Sequence, residues 1–89
     1  MTEQDIRQWL INYLSGLLRV SPSEIDTAFT FREHGIESGM SLGLVADFEK
    51  WLEVELPLDV LFEHPTIDAL ACYVHQNYDS FCRASIERN

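Results

Sequence analysis

The sequence predicts an all-α domain: a small antiparallel four-helix bundle of three main helices and one short one, with a long first loop. Three observations carry this. Apolar residues recur at i, i+3, i+4 and i+7 in separate segments, as in helices that bury one face. No segment alternates apolar and polar residues over strand length. Pro57 and Pro65 fence off a connector too short for more than a turn or two of helix.

The first helix is predicted over residues 3–18, where Ile6, Trp9, Leu10, Tyr13, Leu14, Leu17 and Leu18 form one apolar face. Thr2 followed by Asp5 resembles a capping box. Such a stripe is ordinary core and is assigned no chemistry. Residues 19–37 read as a long connection with local turns. Within it Ser21-Pro22-Ser23-Glu24 has a cap, a proline and a glutamate in the order that supports one helical turn. Ile25, Phe29 and Phe31 are expected to peg this loop onto the core. Gly35 permits the sharp reversal before the next helix.

The second main helix is predicted from Ser38 to Leu52. At 100° per residue its buried face collects Ser41, Leu44, Val45, Phe48, Trp51 and Leu52, with Leu42 at the margin. The opposite side collects Gly39, Gly43, Ala46, Asp47 and Lys50, an unusually small and smooth stripe. Interior glycines cost about 1 kcal/mol each relative to alanine, less in the first turn. A local rule broken in this way often marks a functional surface.

After Leu52 the connector carries Leu56, Leu58, Val60, Leu61 and Phe62 and is expected to pack across the bundle. Leu58, Leu61 and Phe62 would either shelter a bound chain or fill the core. The last helix starts after Pro65, capped by Thr66, and buries Ile67, Leu70, Ala71 and Val74, reaching about Tyr78. The domain is expected to span residues 1–80, with residues 81–89 a polar tail.

The 89 residues support one domain with a modest core. Fifteen acidic against six basic side chains give a net charge of −9, which disfavours nucleic acid or an anionic membrane and favours a partner with a basic surface. Cys72 and Cys82 have neither the number nor the spacing of a disulfide framework or zinc site, which points to a reducing cytoplasm. No apolar run reaches spanning length, and no basic start leads into an apolar stretch. Met1 lies a natural distance before the first helix, as in a discrete protein.

Several patterns suggest chemistry. Gly39-Met40-Ser41-Leu42-Gly43 fits G-x-S-x-G, but that elbow works on a strand-to-helix turn of a large α/β sheet. Here Ser41 falls inside a helix, on its buried side. His34, His64 and His75 lack any metal-ligand spacing. The carboxylates Glu33, Glu37, Asp47, Glu49, Glu53, Glu55, Asp59 and Glu63 concentrate around the second main helix. They are either a solvated surface or a docking face for a basic partner. Ser38, at the first position of that helix, is a candidate attachment point held out to solvent.

At this point the chain resembles an acyl carrier protein domain of the polyketide synthase type. That family shares a phenylalanine and a G-L-D-S-L core before its second helix, then an L-P segment and F-x-H-P-T-[IV] before its last. The matching residues are Phe31, Gly35-Ile36-Glu37-Ser38-Gly39, Leu56-Pro57 and Phe62-Glu63-His64-Pro65-Thr66-Ile67, continued by Leu70, Ala71, Tyr73 and Val74. The resemblance implies an acyl-carrier-like bundle that catalyses nothing itself. It implies that a separate phosphopantetheinyl transferase moves 4'-phosphopantetheine from coenzyme A onto Ser38. Acyl or ketide intermediates would then ride on the arm as thioesters. An acyl-loading enzyme, a ketosynthase or other enzymes with basic patches would read Glu37, Gly39, Met40, Gly43, Ala46, Asp47 and Lys50 on a monomer.

Departures from the family pattern are Glu37 for aspartate, Gly39 for leucine, a glycine at 43 and the positive Lys50 on the face that partners read. They lead to the expectation that Gly39, Gly43 and Ala46 form a shallow groove for a dedicated partner. A peptidyl carrier of nonribosomal synthesis and an unmodified helical adaptor are the alternatives.

Overall fold

A computed structural model describes the backbone of residues 1–88 and the side chains of residues 1–83. It contains four α-helices: α1 (Glu3–Leu18), α2 (Ser38–Leu52), α3 (Val60–Glu63) and α4 (Ile67–Arg88), with a 3-10 turn at Pro22–Glu24 in the first loop. No strand occurs among the described residues; an isolated antiparallel bridge joins Thr30 to Thr66.

Each helix begins where its local chemistry allows. Thr2 and Asp5 form a reciprocal capping box, the Asp5 N–H donating to Thr2 Oγ1 at 3.1 Å and the Thr2 N–H to Asp5 Oδ2 at 2.9 Å. These bonds hold the Asp5 carboxyl below its ordinary value, the backbone bond contributing most. α1 ends at Arg19 in the left-handed region. The Ser15 hydroxyl turns back there to donate to the Val20 carbonyl at 2.6 Å. Glu24 closes a second box onto the Ser21 N–H at 2.8 Å, and Thr66 Oγ1 caps α4 by accepting from the Ala69 N–H at 3.0 Å.

The core is one cluster. Ile6, Leu10 and Leu14 of α1 meet Leu44, Phe48 and Leu52 of α2 and Ile67, Leu70, Ala71 and Val74 of α4, all buried. Trp9 sits at the α1–α2 seam, its ring 5.0 Å from Tyr13, 5.2 Å from Phe48 and 5.3 Å from Trp51. Stacked rings of this kind add to what their burial alone contributes.

Ile25 and Phe31 peg the first loop onto this core as expected, joined by Ile36. Phe29 does not: it is exposed, with its ring 5.9 Å from His34. The Ala28 N–H donates to Asp26 Oδ1 at 2.9 Å and the Phe29 N–H to Asp26 O at 3.2 Å. This tight turn leaves Phe29 facing outward.

The connector after α2 also splits. Val54, Leu56 and Val60 are buried and Leu61 is half-buried, whereas Leu58 is fully exposed and Phe62 is 89% exposed. A four-residue helix shows one face to the core, so its apolar residues cannot all be covered. Leu42, placed by periodicity at the margin of the buried face, is 74% exposed. α4 continues through Arg88, past the expected start of a tail. Tyr78, Phe81 and Cys82 pack partly buried against the core, and no glycine or proline interrupts the helix.

Candidate functional site

Gly35 and the residues beside it set the entry to α2. Gly35 has φ +91°, a conformation that strains any residue with a Cβ. Its N–H donates to Arg32 O at 2.9 Å, and that of Ile36 to Phe31 O at 2.9 Å. The turn buries Phe31 and Ile36 on either side of it, which fixes the direction in which the chain leaves toward Glu37 and Ser38.

Glu37 is the N-cap residue of α2, extended and exposed, and its side chain makes no capping bond. Ser38 is the first helical residue; it is exposed, and no described group hydrogen-bonds its hydroxyl. The Ser41 N–H is taken by the Glu37 carbonyl at 2.8 Å. The preceding N–H groups of Ser38, Gly39 and Met40 open onto solvent, with no acidic side chain in the first turn. An anionic group carried on Ser38 would meet these donors and the positive end of the helix, worth about 0.3–1 kcal/mol.

Beside Ser38 lies an open apolar groove of about 650 Å³. Ser38, Ser41 and Leu42 form its α2 wall, and Leu58, Leu61 and Phe62 its α3 wall. Phe31, Arg32 and Ile36 contribute from the first loop. The volume is in the range of small-molecule sites, which are mostly apolar with a few polar groups. The groove therefore gathers the three expected chain contacts, Leu58, Leu61 and Phe62, within reach of Ser38. Sequence reasoning missed Leu42 and Arg32 as parts of it; their only signal was proximity in sequence to Gly35 and Ser38.

The expected docking residues sit apart from that groove. Gly39, Gly43, Ala46, Asp47 and Lys50 follow one another along exposed α2, with Glu37 and the partly exposed Met40 at its start. A Cβ at Gly39 would meet open space, and one at Gly43 would touch only the Tyr13 hydroxyl, at 4.0 Å. Tyr13 is the unforeseen member of this face: its phenol donates to Asp47 Oδ2 at 2.7 Å. The sequence placed Tyr13 in the core stripe, where no periodicity signals a polar reach across helices.

The Ser41 hydroxyl donates to the Glu37 carbonyl at 3.1 Å, and no histidine is among the residues lining the groove. Among the described residues no helix is long and apolar enough to cross a membrane.

The family described as the phosphopantetheine attachment site matches residues 8–74. This chain belongs to the phosphopantetheine-attachment carrier family. The family is one of non-catalytic carriers that attach 4'-phosphopantetheine. Relatives agree with the assignment. The acyl carrier protein TtuC of Teredinibacter turnerae is 32% identical over 74 residues, which are 83% of this carrier and 85% of TtuC. Polyketide synthase PksL of Bacillus subtilis is 31% identical over 71 residues, 80% of this carrier but 2% of that synthase. A solved structure of Asl1650, an acyl carrier protein from Anabaena sp. PCC 7120 with a variant phosphopantetheinylation-site sequence, superimposes with a TM-score of 0.83. It is 35% identical, and the match covers 86% of this carrier and 88% of Asl1650.

Proposed function

We propose that this carrier holds acyl or ketide intermediates as thioesters on a 4'-phosphopantetheine arm joined to Ser38, in polyketide or related lipid-like biosynthesis. The observation that carries the reading is the free, exposed Ser38 hydroxyl at the first turn of α2, beside an apolar groove. In the attachment step the Ser38 oxygen attacks the pyrophosphate phosphorus nearest the pantetheine of coenzyme A. A phosphodiester forms, the P–O bond to 3',5'-ADP breaks, and the serine proton passes to solvent or a base of the transferase. Once attached, the arm supplies a terminal thiol for thioester chemistry.

The chain's own residues do the rest. The rigid Gly35 turn holds Ser38 outward, and the uncapped N–H groups of the first turn favour the new negative charge. Leu42, Leu58, Leu61 and Phe62 offer an apolar wall to an attached chain. Glu37, Gly39, Met40, Gly43, Ala46, Asp47 and Lys50 present the face that the transferase, an acyl-loading enzyme and a ketosynthase would read. Docking of this kind is weak and electrostatically steered, which suits repeated visits to several enzymes. The free Cys72 and Cys82 and the use of coenzyme A support a cytoplasmic setting for this work.

Intact-mass measurement after incubation with coenzyme A and a phosphopantetheinyl transferase tests the reading. A gain of one phosphopantetheine in the wild type and in Ser41→Ala, abolished in Ser38→Ala, is the expected result. No gain with several transferases would favour an unmodified adaptor. Offering the holo form acyl-transferring and amino-acid-activating loading enzymes in parallel then separates an acyl from a peptidyl cargo.

A further inference from the structure

Arg32 lines the same groove as Ser38 and is the one basic residue among those that do. The carrier is poor in positive charge, with six basic residues against fifteen acidic. Arg7, by contrast, is committed to Glu3 and Asp68 at 2.7 and 2.9 Å. Arg32 is exposed, and among the described residues no carboxylate pairs with it. Its backbone is fixed all the same, since its carbonyl accepts the Gly35 N–H that forms the turn into Ser38. A guanidinium without an internal partner therefore stands on the loop wall of an otherwise apolar groove. The single acid in the lining, Asp59, belongs to the α3 side.

We infer that Arg32 pairs with the phosphodiester of the Ser38-linked arm and so turns the arm into the groove, toward Leu58 and Phe62, and away from the Gly39–Lys50 face. The inference rests on the attachment reading above. A phosphodiester on Ser38 brings a permanent negative charge to the groove mouth, and guanidinium is the side chain best matched to phosphate oxygens. Asp59 repels the same charge, so the anionic end is favoured on the loop wall and the uncharged amide and thiol part is left for the apolar wall. The arm then has a resting position, and a basic patch on a partner enzyme competes with Arg32 for the phosphate when it draws the arm out. The pair is solvent-exposed, so its hold is weak and salt-sensitive.

Isotope-labelled carrier in apo and holo forms tests this by NMR, with loading of every sample verified by intact mass. In the wild type, conversion to the holo form is expected to shift the Leu58 methyl and Phe62 ring signals, and the shifts should fade as salt approaches about 1 M, where screening reaches about 3 Å. Arg32→Gln should lose these shifts and move the phosphorus resonance, Arg32→Lys should keep part of them, and Asp59→Asn should enlarge them. Apo melting temperatures should not change in the Arg32 variants, because no intramolecular partner is removed. Holo shifts in Arg32→Gln equal to the wild type's would overturn the inference and leave the attachment reading intact. A wild type that gains no mass would overturn both. An Arg32→Gln protein that stays apo while the wild type loads would assign Arg32 to transferase recognition and reject its role with the arm.

Discussion

Tyr13 of α1 donates its phenol to Asp47 of α2 at 2.7 Å, so the first helix fixes a carboxylate on the face proposed to meet partners. A Cβ at Gly43 would stand 4.0 Å from the Tyr13 hydroxyl, an ordinary contact. The hydrogen bond to Asp47, with smaller contributions from burial and from the negative charge of Asp47, raises the phenol above its ordinary 10.0. Because the folded protein prefers the protonated phenol, this contribution is complete below the unfolded value and is lost as pH rises through the raised one. Tyr13→Phe should lower stability near neutrality by less than about 1 kcal/mol, since the bond is exposed. A tyrosine absorbance titration should show a raised phenol midpoint falling toward its ordinary value in Asp47→Asn.

The two glycines of α2 are not demanded by packing. Gly39 has open space and Gly43 only an ordinary contact with Tyr13 where a Cβ would stand. Gly39→Ala with Gly43→Ala should therefore raise unfolding stability by about 1–2 kcal/mol, read by denaturant titration. Loading by the cognate transferase or acyl-transfer enzyme should slow in the same variant if a partner approaches the helix closely there. Unchanged loading kinetics would reject that groove and leave the glycines without a function.

Much of the fold was legible because its signals are local. The capping pairs Thr2–Asp5 and Ser21–Glu24, the boundaries of α2 and the buried face of α4 follow from spacing within one segment. What was not legible depends on which segment covers which. Leu42, Leu58 and Phe62 look like core residues in composition, yet the short α3 and the turn before it leave them on a groove. Phe29 is the same case in the first loop. Half of the candidate site, Gly35 to Ser38, could be read from a turn residue followed by a helix start. Of the other half, Leu58, Leu61 and Phe62 were expected either on a bound chain or in the core, and Leu42 and Arg32 carry no periodicity that marks them for the groove.

Leu58 and Phe62 should be replaceable by serine at little cost to stability, within about 0.5 kcal/mol each, because neither is buried. If they shelter an attached chain, the cost falls on the cargo instead. A medium-length saturated acyl thioester on the double variant should hydrolyse faster than on the wild type, followed by loss of the acylated mass over time. Equal lifetimes would show that the groove leaves the chain in solvent.

Two exposed carboxylates, Asp5 in the capping box of α1 and Glu33 in the turn after Thr30, link stability to acid pH. Asp5 is held below its ordinary 3.8 by bonds to Thr2, and Glu33 below 4.5 by bonds to Thr30. A carboxylate lowered in the folded state stabilises it above the unfolded value, and that contribution is lost as pH falls through the folded one. The melting temperature should thus decline on acidification below about pH 5. In Thr2→Ala the Asp5 midpoint, followed by carboxyl carbon shifts, should rise toward 3.8.

Asp68 ties three segments together, and the loop carrying Gly35 should depend on it. Its Oδ1 accepts from Arg7 Nε at 2.9 Å and its Oδ2 from the Thr27 hydroxyl at 3.0 Å. Its N–H donates to the Thr27 carbonyl at 3.1 Å, in the first turn of α4, where a carboxylate also favours the helix end. Removing the carboxylate leaves both donors in need of water, but they are only partly buried, so Asp68→Ala should cost about 1–2 kcal/mol. In a double-mutant cycle Arg7→Gln and Asp68→Ala should be less than additive, since they break one shared contact. The effect on the site should exceed the effect on the bundle. Thr27 is the point where α4 grips the chain between the Ile25 and Phe31 pegs, so amide exchange from residues 26–36 should accelerate more than exchange from α1 or α2. Uniform acceleration throughout would mean that Asp68 supports the whole bundle and gives the loop no separate anchorage.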